Sequence, residues 1–359
     1  MTQLAEHTAT GTTAATSTAA PGAPGATRTP GAPTSSAATD IDPALAAHRG
    51  ELTGYCYRML GSVHDAEDAV QETLVRAWRS QDGFEGRSSL RSWLYRIATN
   101  VCIDAISSRR RRATPLEIGG PSAPVESSLR DVRPHEEWLE PLPWRGTPPA
   151  VTDPAELAGE RESVRLAFVA ALQHLPPRQR AVLILREVLR FSAEETAELL
   201  GSTVASANSA LQRARATMAQ HHADPQPLDP LDEEHRRLLE RYVDAFERYD
   251  IDAFVALLHA DATQNMPPFA MWLRGAEDVG AWMLGPGAGC RGSRILTTSG
   301  ANGCPAYAQY RPADDGDGHQ AWAIHVLEVT GGRIQSVTSF LDTALFARFD
   351  LPTRLPAGG

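Results

Sequence analysis

FEGRSSLRSWLYRIATNVCIDAISSRRRR, residues 84–112, joins a glycine-bearing loop, an amphipathic helix and a run of four arginines. Leu90, Trp93, Leu94, Ile97, Ala98, Val101, Ala105 and Ile106 recur at helical spacing, so one face is built to be buried. Ser88 or Ser89 caps its start. The opposite face carries Arg91, Arg96 and Asn100, and the loop ahead of it carries Phe84, Arg87, Ser88 and Ser89. Cations and amides opposite a packed face, with an aromatic nearby, suit a nucleic-acid backbone with exposed bases. Taken alone, the simpler reading is a solvated basic helix end, so the flanking chain has to decide.

On the N-terminal side, residues 44–60 and 64–78 form two helical stretches broken at Gly61-Ser62. Ala66, Ala69, Val70, Thr73, Leu74 and Ala77 make the buried face of the second. Asp65, Glu67, Asp68 and Glu72 crowd that helix toward its N-terminus, where acid is favourable against the dipole. Four carboxylates exceed what capping needs, and they point to a protein partner with a basic surface. Residues 1–40 are almost entirely Ala, Thr, Gly, Pro and Ser, a composition expected to be disordered.

On the C-terminal side, residues 113–158 hold nine prolines and read as an extended linker. Within it EEWLEPLPW, residues 136–144, is an apolar island that either docks on a partner surface or packs back on the nearest domain. A second helical domain follows over 159–222. Val164, Phe168, Ala171, Leu172 and Leu175 line one helix, Pro176-Pro177 stop it, and Val182, Leu183, Leu185 and Val188 line the next. In FSAEETAELLGSTVASANSALQRARATM, residues 191–218, Ser192 and Glu195 form a capping box and Gly201 supplies a turn. Val204, Ala207, Leu211 and Ala214 face inward on the last helix, which gives a helix-turn-helix. Its outer face shows Ser206, Asn208, Ser209, Gln212, Arg213 and Arg215, types that reach base edges and phosphates in a major groove.

After a short linker at 225–230, residues 233–249, 252–258 and 276–284 read as helices, with 267–275 as a loop. Strands are expected at 263–266, 295–298, 306–310, 320–330 and 334–341, with Gly331-Gly332 as a hairpin turn, in an antiparallel sheet curled on the helices. The net charge of −10 confines any nucleic-acid contact to local basic patches. Cys56, Cys102, Cys290 and Cys304 lack a CxxC pair, which argues against a metal site or a disulfide framework. Neither a signal peptide nor a membrane span is read, so a cytoplasmic protein is expected.

DAEDAVQETLVRAWR (65–79), SLRSWLYRIATNVCIDAISSRRR (89–111) and LPPRQRAVLILREVLRFSAEETAELLG (175–201) resemble regions 2 and 4 of extracytoplasmic-function sigma factors. The resemblance implies a sigma region 2 over 41–112 and a region 4 over 159–222. It implies RNA polymerase core as partner, through its β′ clamp and β subunit, together with promoter DNA. Asp65, Asp68 and Glu72 would meet the clamp. Phe84, Arg87, Ser88, Ser89, Arg91, Arg96 and Asn100 would engage the minus-10 element, with Trp93 left to the core. The helix from 204 to 218 would enter the minus-35 element, where relatives often carry Lys and Arg in place of Asn208 and Ala210.

Residues 232–350, with MPPFAMWLRG (266–275), are similar to SnoaL-like members of the NTF2-like superfamily, an α+β cone with a pocket. Sigma factors with this extension form a subgroup in which it modulates activity, and WLEPLPW looks like a linker segment typical of them. Some NTF2-like relatives use an Asp and a His as an acid/base pair, so Asp342, His325 and a cavity-lining Trp272 are the candidates for a small-molecule pocket. A satisfied structural histidine is the commoner outcome, and no catalysis, metal or cofactor is expected. Two rival readings stand beside the sigma factor: a polymerase-independent regulator sensing a small molecule, and a SnoaL-type enzyme fused to DNA-binding domains.

Overall fold

In a computed structural model of the chain, the described residues are 43–80, 89–107, 110–144, 154–221 and 232–357. The tail read as disordered, the loop from Phe84 to Ser88 and the 225–230 linker lie outside them.

The first helical domain comprises α1 (Pro43–Ala46), α2 (Arg49–Leu60), α3 (Val63–Ser80) and α4 (Leu90–Ser107). Gly61 closes α2 in the left-handed region at φ 72°, donating its N–H to the Tyr57 carbonyl at 2.7 Å. A Cβ there would also lie 2.5 Å from the end of the Leu139 side chain, which would have to shift, so the left-handed backbone is what calls for glycine. The cap of α4 is Ser89, whose Oγ accepts from the Ser92 N–H at 3.0 Å. Leu52, Tyr55, Leu74, Leu94 and Ala98 of α2, α3 and α4 are fully buried, Tyr95 is buried against Phe191 of the second helical domain, and Trp93 belongs to the same core. Each large side chain contributes about 1.5–3 kcal/mol by leaving water.

The second helical domain comprises α5 (Pro154–Val164), α6 (Leu166–Gln173), α7 (Pro177–Leu183), α8 (Ala193–Leu199) and α9 (Val204–His221). A π-helical turn over Ile184–Val188 extends α7. The capping box is reciprocal: the Ser192 N–H donates to Glu195 at 2.7 Å and the Glu195 N–H donates to Ser192 Oγ at 3.0 Å. Gly201 turns the chain at φ 58°. Val204, expected inward, is exposed, because a helical side chain leans toward its own N-terminus and this one overhangs the start of α9. The buried stripe begins at Ala207 and continues through Ala210, Leu211, Ala214 and Met218.

The C-terminal domain begins with α10 (Glu233–Glu247) and α11 (Ile251–Val255), then β1 (Leu258–Asn265), β2 (Trp272–Arg274) and α12 (Ala276–Leu284). It ends with β3 (Arg294–Thr297), β4 (Ala306–Pro312), β5 (His319–Thr330), β6 (Arg333–Phe340), α13 (Leu345–Arg348) and β7 (Arg354–Leu355). The sheet order is β2-β1-β6-β5-β4-β3, with β7 beside the start of β5. Gly331 and Gly332, at φ 60° and 70°, make the tight β5–β6 turn. The sheet is mixed, not antiparallel throughout, because β1 pairs parallel with β6. Hairpin signals report neighbours in sequence and carry nothing about that long-range pairing. The stretch expected as a loop at 267–275 contains β2, a three-residue edge strand too short to show alternation.

Alternation gives this sheet two apolar faces. Leu273, Tyr307, Leu327 and Val337 pack with Leu238, Tyr242, Phe246, Phe254 and Trp282 from the domain's own helices. Ala306, Ala308, Ile324, Val326 and Phe340 join one continuous cluster with the two helical domains. The linker lies between. Its described part, 113–144, is not an extended tether: three 3-10 turns, at Pro115–Glu117, Glu126–Leu129 and His135–Glu137, punctuate those residues. Its backbone donates from Ser122 to the Trp272 carbonyl (2.7 Å), from Arg133 to Pro268 (3.0 Å) and from Trp144 to Gly300 (2.9 Å). Trp138, Leu139 and Leu142 of the apolar island are buried.

Candidate nucleic-acid interface

On α4, Arg96 and Asn100 are exposed and Arg91 is half-buried. Arg91 Nε donates to Glu51 at 2.9 Å, and its guanidinium lies 4.6 Å from the Phe191 ring centroid and 5.0 Å from that of Tyr95. Burial pushes the Glu51 carboxyl up, but Arg91 and His48 outweigh it and hold it below the usual range. Ser89, Ser92, Trp93 and Arg96 share a cleft of about 140 Å³ with Glu195, Glu198 and Leu199 of α8. The second helical domain therefore sits against the α4 face. Phe84, Arg87 and Ser88 fall outside the described residues.

On α9, Ser206, Asn208, Ser209, Gln212, Arg213 and Arg215 are all exposed on one side. Arg215 pairs with Glu187. Ala210 lies inward with the core stripe, so that position has no side chain to offer a groove.

On α3, Asp68 and Glu72 are exposed, and Glu72 accepts from Arg76 Nε at 2.6 Å, a pair worth a few tenths of a kcal/mol. Asp65 is different: it is engaged inside the molecule. Arg112, itself buried, donates Nη2 to Asp65 at 2.8 Å and Nη1 to the Trp138 carbonyl at 2.7 Å. The last arginine of the basic run thus ties the linker to α3, while Arg110 donates to Glu137 (2.6 Å) and Arg111 to Glu117 (2.9 Å). Glu67 meets Arg348 of α13.

The three pocket candidates are not brought together. Strand register puts Trp272 in one row with Asn265, Thr338 and Val326, on the face turned to the helical domains. There its indole N–H donates to the Gly119 carbonyl at 2.8 Å. His325, paired with Tyr307 and Ser339, points from the opposite face. Its Nε2 meets Gln309 Oε1 at 2.8 Å and its Nδ1 meets Ser339 Oγ at 3.1 Å, with Phe246 edge-on at 5.6 Å. Gln309 turns its amide nitrogen to Ser293 Oγ at 2.9 Å, which leaves the carbonyl oxygen for the imidazole. Burial pushes the imidazole pKa down to about 4. Asp342 lies beyond β6, accepts from the Ala344 N–H at 2.9 Å and is 3.9 Å from His135 Nδ1.

Sequence reasoning missed the residues that join the domains. The loop Gly300–Cys304, between β3 and β4, reaches both helical domains. Asn302 is fully buried in the left-handed region at φ 53°, a conformation asparagine tolerates. Its Nδ2 donates to Tyr57 Oη and to the Val164 carbonyl, both at 2.7 Å. Its Oδ1 accepts from the Leu142 N–H at 2.9 Å, and its own N–H donates to the Leu142 carbonyl at 2.9 Å. One side chain therefore joins the first helical domain, the linker, the second helical domain and the sheet. Gly303 approaches so closely that a Cβ would lie 2.9 Å from the Arg161 backbone. The Asn-Gly pair was the available signal, a turn mark by itself.

Ionic ties run alongside. Arg165 is buried and donates to both oxygens of Glu328, at 3.1 and 2.9 Å. Burial alone would lower its pKa, but Glu328 and Glu162 raise it above the usual guanidinium range. Arg58 donates to the Ser163 carbonyl (3.0 Å) and Oγ (2.6 Å), and burial pulls its pKa down to about 10.

Residues 45–112 match Sigma-70 region 2, residues 165–218 match Sigma-70 region 4, and residues 239–337 match a SnoaL-like domain. The ECF RNA polymerase sigma factor SigG of Mycobacterium tuberculosis is 48% identical over 313 residues, 86% of this chain and 83% of that protein. The ECF RNA polymerase sigma factor SigJ of the same organism is 29% identical over 302 residues, 80% of this chain and 86% of that one. The crystal structure of SigJ has a similar fold, with a TM-score of 0.54 at 22% identity, covering 88% of this chain and 100% of that one. Among the described residues no helix is long and apolar enough to cross a membrane. With helical regions 2 and 4 ahead of a SnoaL-like sheet domain, and this identity over most of its length, the chain belongs to the ECF RNA polymerase sigma factors.

Proposed function

We propose that this sigma factor works through three faces, and that its C-terminal domain sets how readily they are presented. Asp68 and Glu72 on α3 dock on the β′ clamp of core polymerase, while Asp65 serves the internal tie to Arg112. Ser89, Arg91, Arg96 and Asn100 on α4 hold the unpaired minus-10 strand, with Phe84, Arg87 and Ser88 ahead of them. Ser206, Asn208, Ser209, Gln212, Arg213 and Arg215 on α9 enter the major groove at the minus-35 element, with region 4 held against the β subunit. The C-terminal domain acts without catalysis, as His325 and Asp342 project from separate parts of it.

The observation that carries the regulatory reading is the Asn302 junction. Regions 2 and 4 cannot separate to span two promoter elements while Tyr57, Leu142 and Val164 share one amide. The test is run-off transcription with core polymerase on genomic fragments, comparing the full chain with Asn302→Gly. A higher yield of the same transcripts from the variant supports a domain that restrains initiation. Equal yields across a range of sigma concentrations would remove the regulatory role.

A further inference from the structure

We propose that residues 191–199 of region 4 are an internal stand-in for single-stranded DNA, seated on the α4 face in the place of a promoter base and a phosphate. The inference rests on the assignment of α4 to the minus-10 strand.

Phe191 is the base surrogate. Its ring takes the Arg91 guanidinium at 4.6 Å and lies edge-on to Tyr95 at 5.3 Å and 67°. A guanidinium and an aromatic ring are the groups with which proteins hold an unstacked base. Arg190, in the left-handed region at φ 59°, delivers Phe191 to that position. Such a backbone is uncommon outside glycine. The turn is fixed on both sides of the peptide: the Phe191 N–H donates to the Leu185 carbonyl at 2.9 Å, and its carbonyl accepts from Arg186 at 2.5 Å.

Glu198 is the phosphate surrogate. It lines the same cleft as Arg96, Ser89 and Ser92, whereas Glu195, which lines it too, is engaged by the Ser192 N–H in the capping box. A carboxylate lining one cleft with a cation and two hydroxyls offers acceptors of the kind that a DNA backbone presents. Packing of the second helical domain accounts for Phe191 being buried. It does not require that the ring meet an arginine, nor that Glu198 line the cleft that Arg96 shares.

Region 4 and the minus-10 strand therefore compete for one surface. The affinity of α4 for single-stranded DNA is reduced by the fraction of molecules with α8 in place. Detaching α8 uncovers the minus-10 face and frees α9 to move toward the minus-35 element in the same step.

The test is fluorescence anisotropy of the full chain, without polymerase, against a labelled pool of randomised single-stranded DNA of about 12 nucleotides. Phe191→Leu keeps apolar volume in region 4 but removes the ring, and Glu198→Gln removes the surrogate charge. The double variant is expected to bind the pool about tenfold more tightly. Glu194→Gln, the same charge change on an exposed α8 carboxylate outside the cleft, is expected to stay within about twofold of the parent. Equal gains from the two would reduce the effect to net charge and overturn the proposal. So would an unchanged affinity in a double variant that melts like the parent. If Arg91→Ala with Arg96→Ala leaves open-complex formation on core polymerase intact, the assignment of α4 itself fails, and the stand-in with it.

Discussion

Replacing Asn302 by glycine isolates the junction between the domains, because glycine adopts φ 53° without strain and only the side chain is lost. Three hydrogen bonds disappear, to Tyr57, Val164 and from Leu142. At about 1 kcal/mol each they amount to roughly 3 kcal/mol, and the stranded Val164 carbonyl and Leu142 N–H add to that. Tyr57 keeps a partner, since its hydroxyl also donates to the Glu140 carbonyl at 2.7 Å. Roughly 3 kcal/mol moves a closed-to-open equilibrium by about two orders of magnitude. Hydrogen exchange read by mass spectrometry on the full chain measures it. Peptides spanning Leu142 and Val164 should exchange about 100-fold faster, while β5 keeps the protection of its strand pairings. Unchanged protection at Leu142 would refute the reasoning. Uniform loss through β5 would also refute it, by showing that the C-terminal domain unfolds instead of undocking.

Other outcomes follow from the same geometry. Arg91→Ala with Arg96→Ala should lower open-complex formation in permanganate footprinting while core binding stays nearly intact, and equal loss of both would defeat the division of labour between α4 and α3. Asp68→Ala with Glu72→Ala should weaken binding to core polymerase in a salt-dependent way, measured by fluorescence titration, whereas Asp65→Ala should mainly lower thermal stability because it takes from buried Arg112 its nearest carboxylate and leaves only Glu140, at 3.8 Å. Glu328→Ala should cost roughly 2–4 kcal/mol in denaturant unfolding, below the full penalty for breaking a buried pair because Glu162 still reaches Arg165 at 3.2 Å. His325 carries a pH signature: its pKa near 4 lies below the unfolded value, so its contribution is present above about pH 6.5 and lost as pH falls toward 4. The loss runs at about 1.4 kcal/mol per pH unit over that window, and His325→Gln should flatten it in melts between those limits.

Local chemistry was legible in the sequence wherever a residue acts on its chain neighbours. The helical spacing from Leu90 to Ile106, the Ser192–Glu195 capping box, the left-handed turns at Gly61 and Gly201 and the Gly331-Gly332 hairpin each depend on residues a few positions apart. These were sufficient for two helical domains followed by a strand-rich one, and for the exposed face of α9. Only tertiary structure decided which charges face solvent and which are engaged within the molecule. Asp65 and Asp68 look alike in the acidic helix, yet Arg112, 47 residues away, holds the first and leaves the second exposed. Trp272 and His325 look like partners in a cone, and the two-residue period of paired strands sends them to opposite faces. Asn302 sits in an unremarked turn until folding brings Tyr57, Leu142 and Val164 to its amide. Phe191 reads as the apolar residue before a capped helix, and only packing sets its ring on Arg91. A linear pattern reports what a residue can do with its neighbours, whereas function here depends on partners that chain folding selects from far away in sequence.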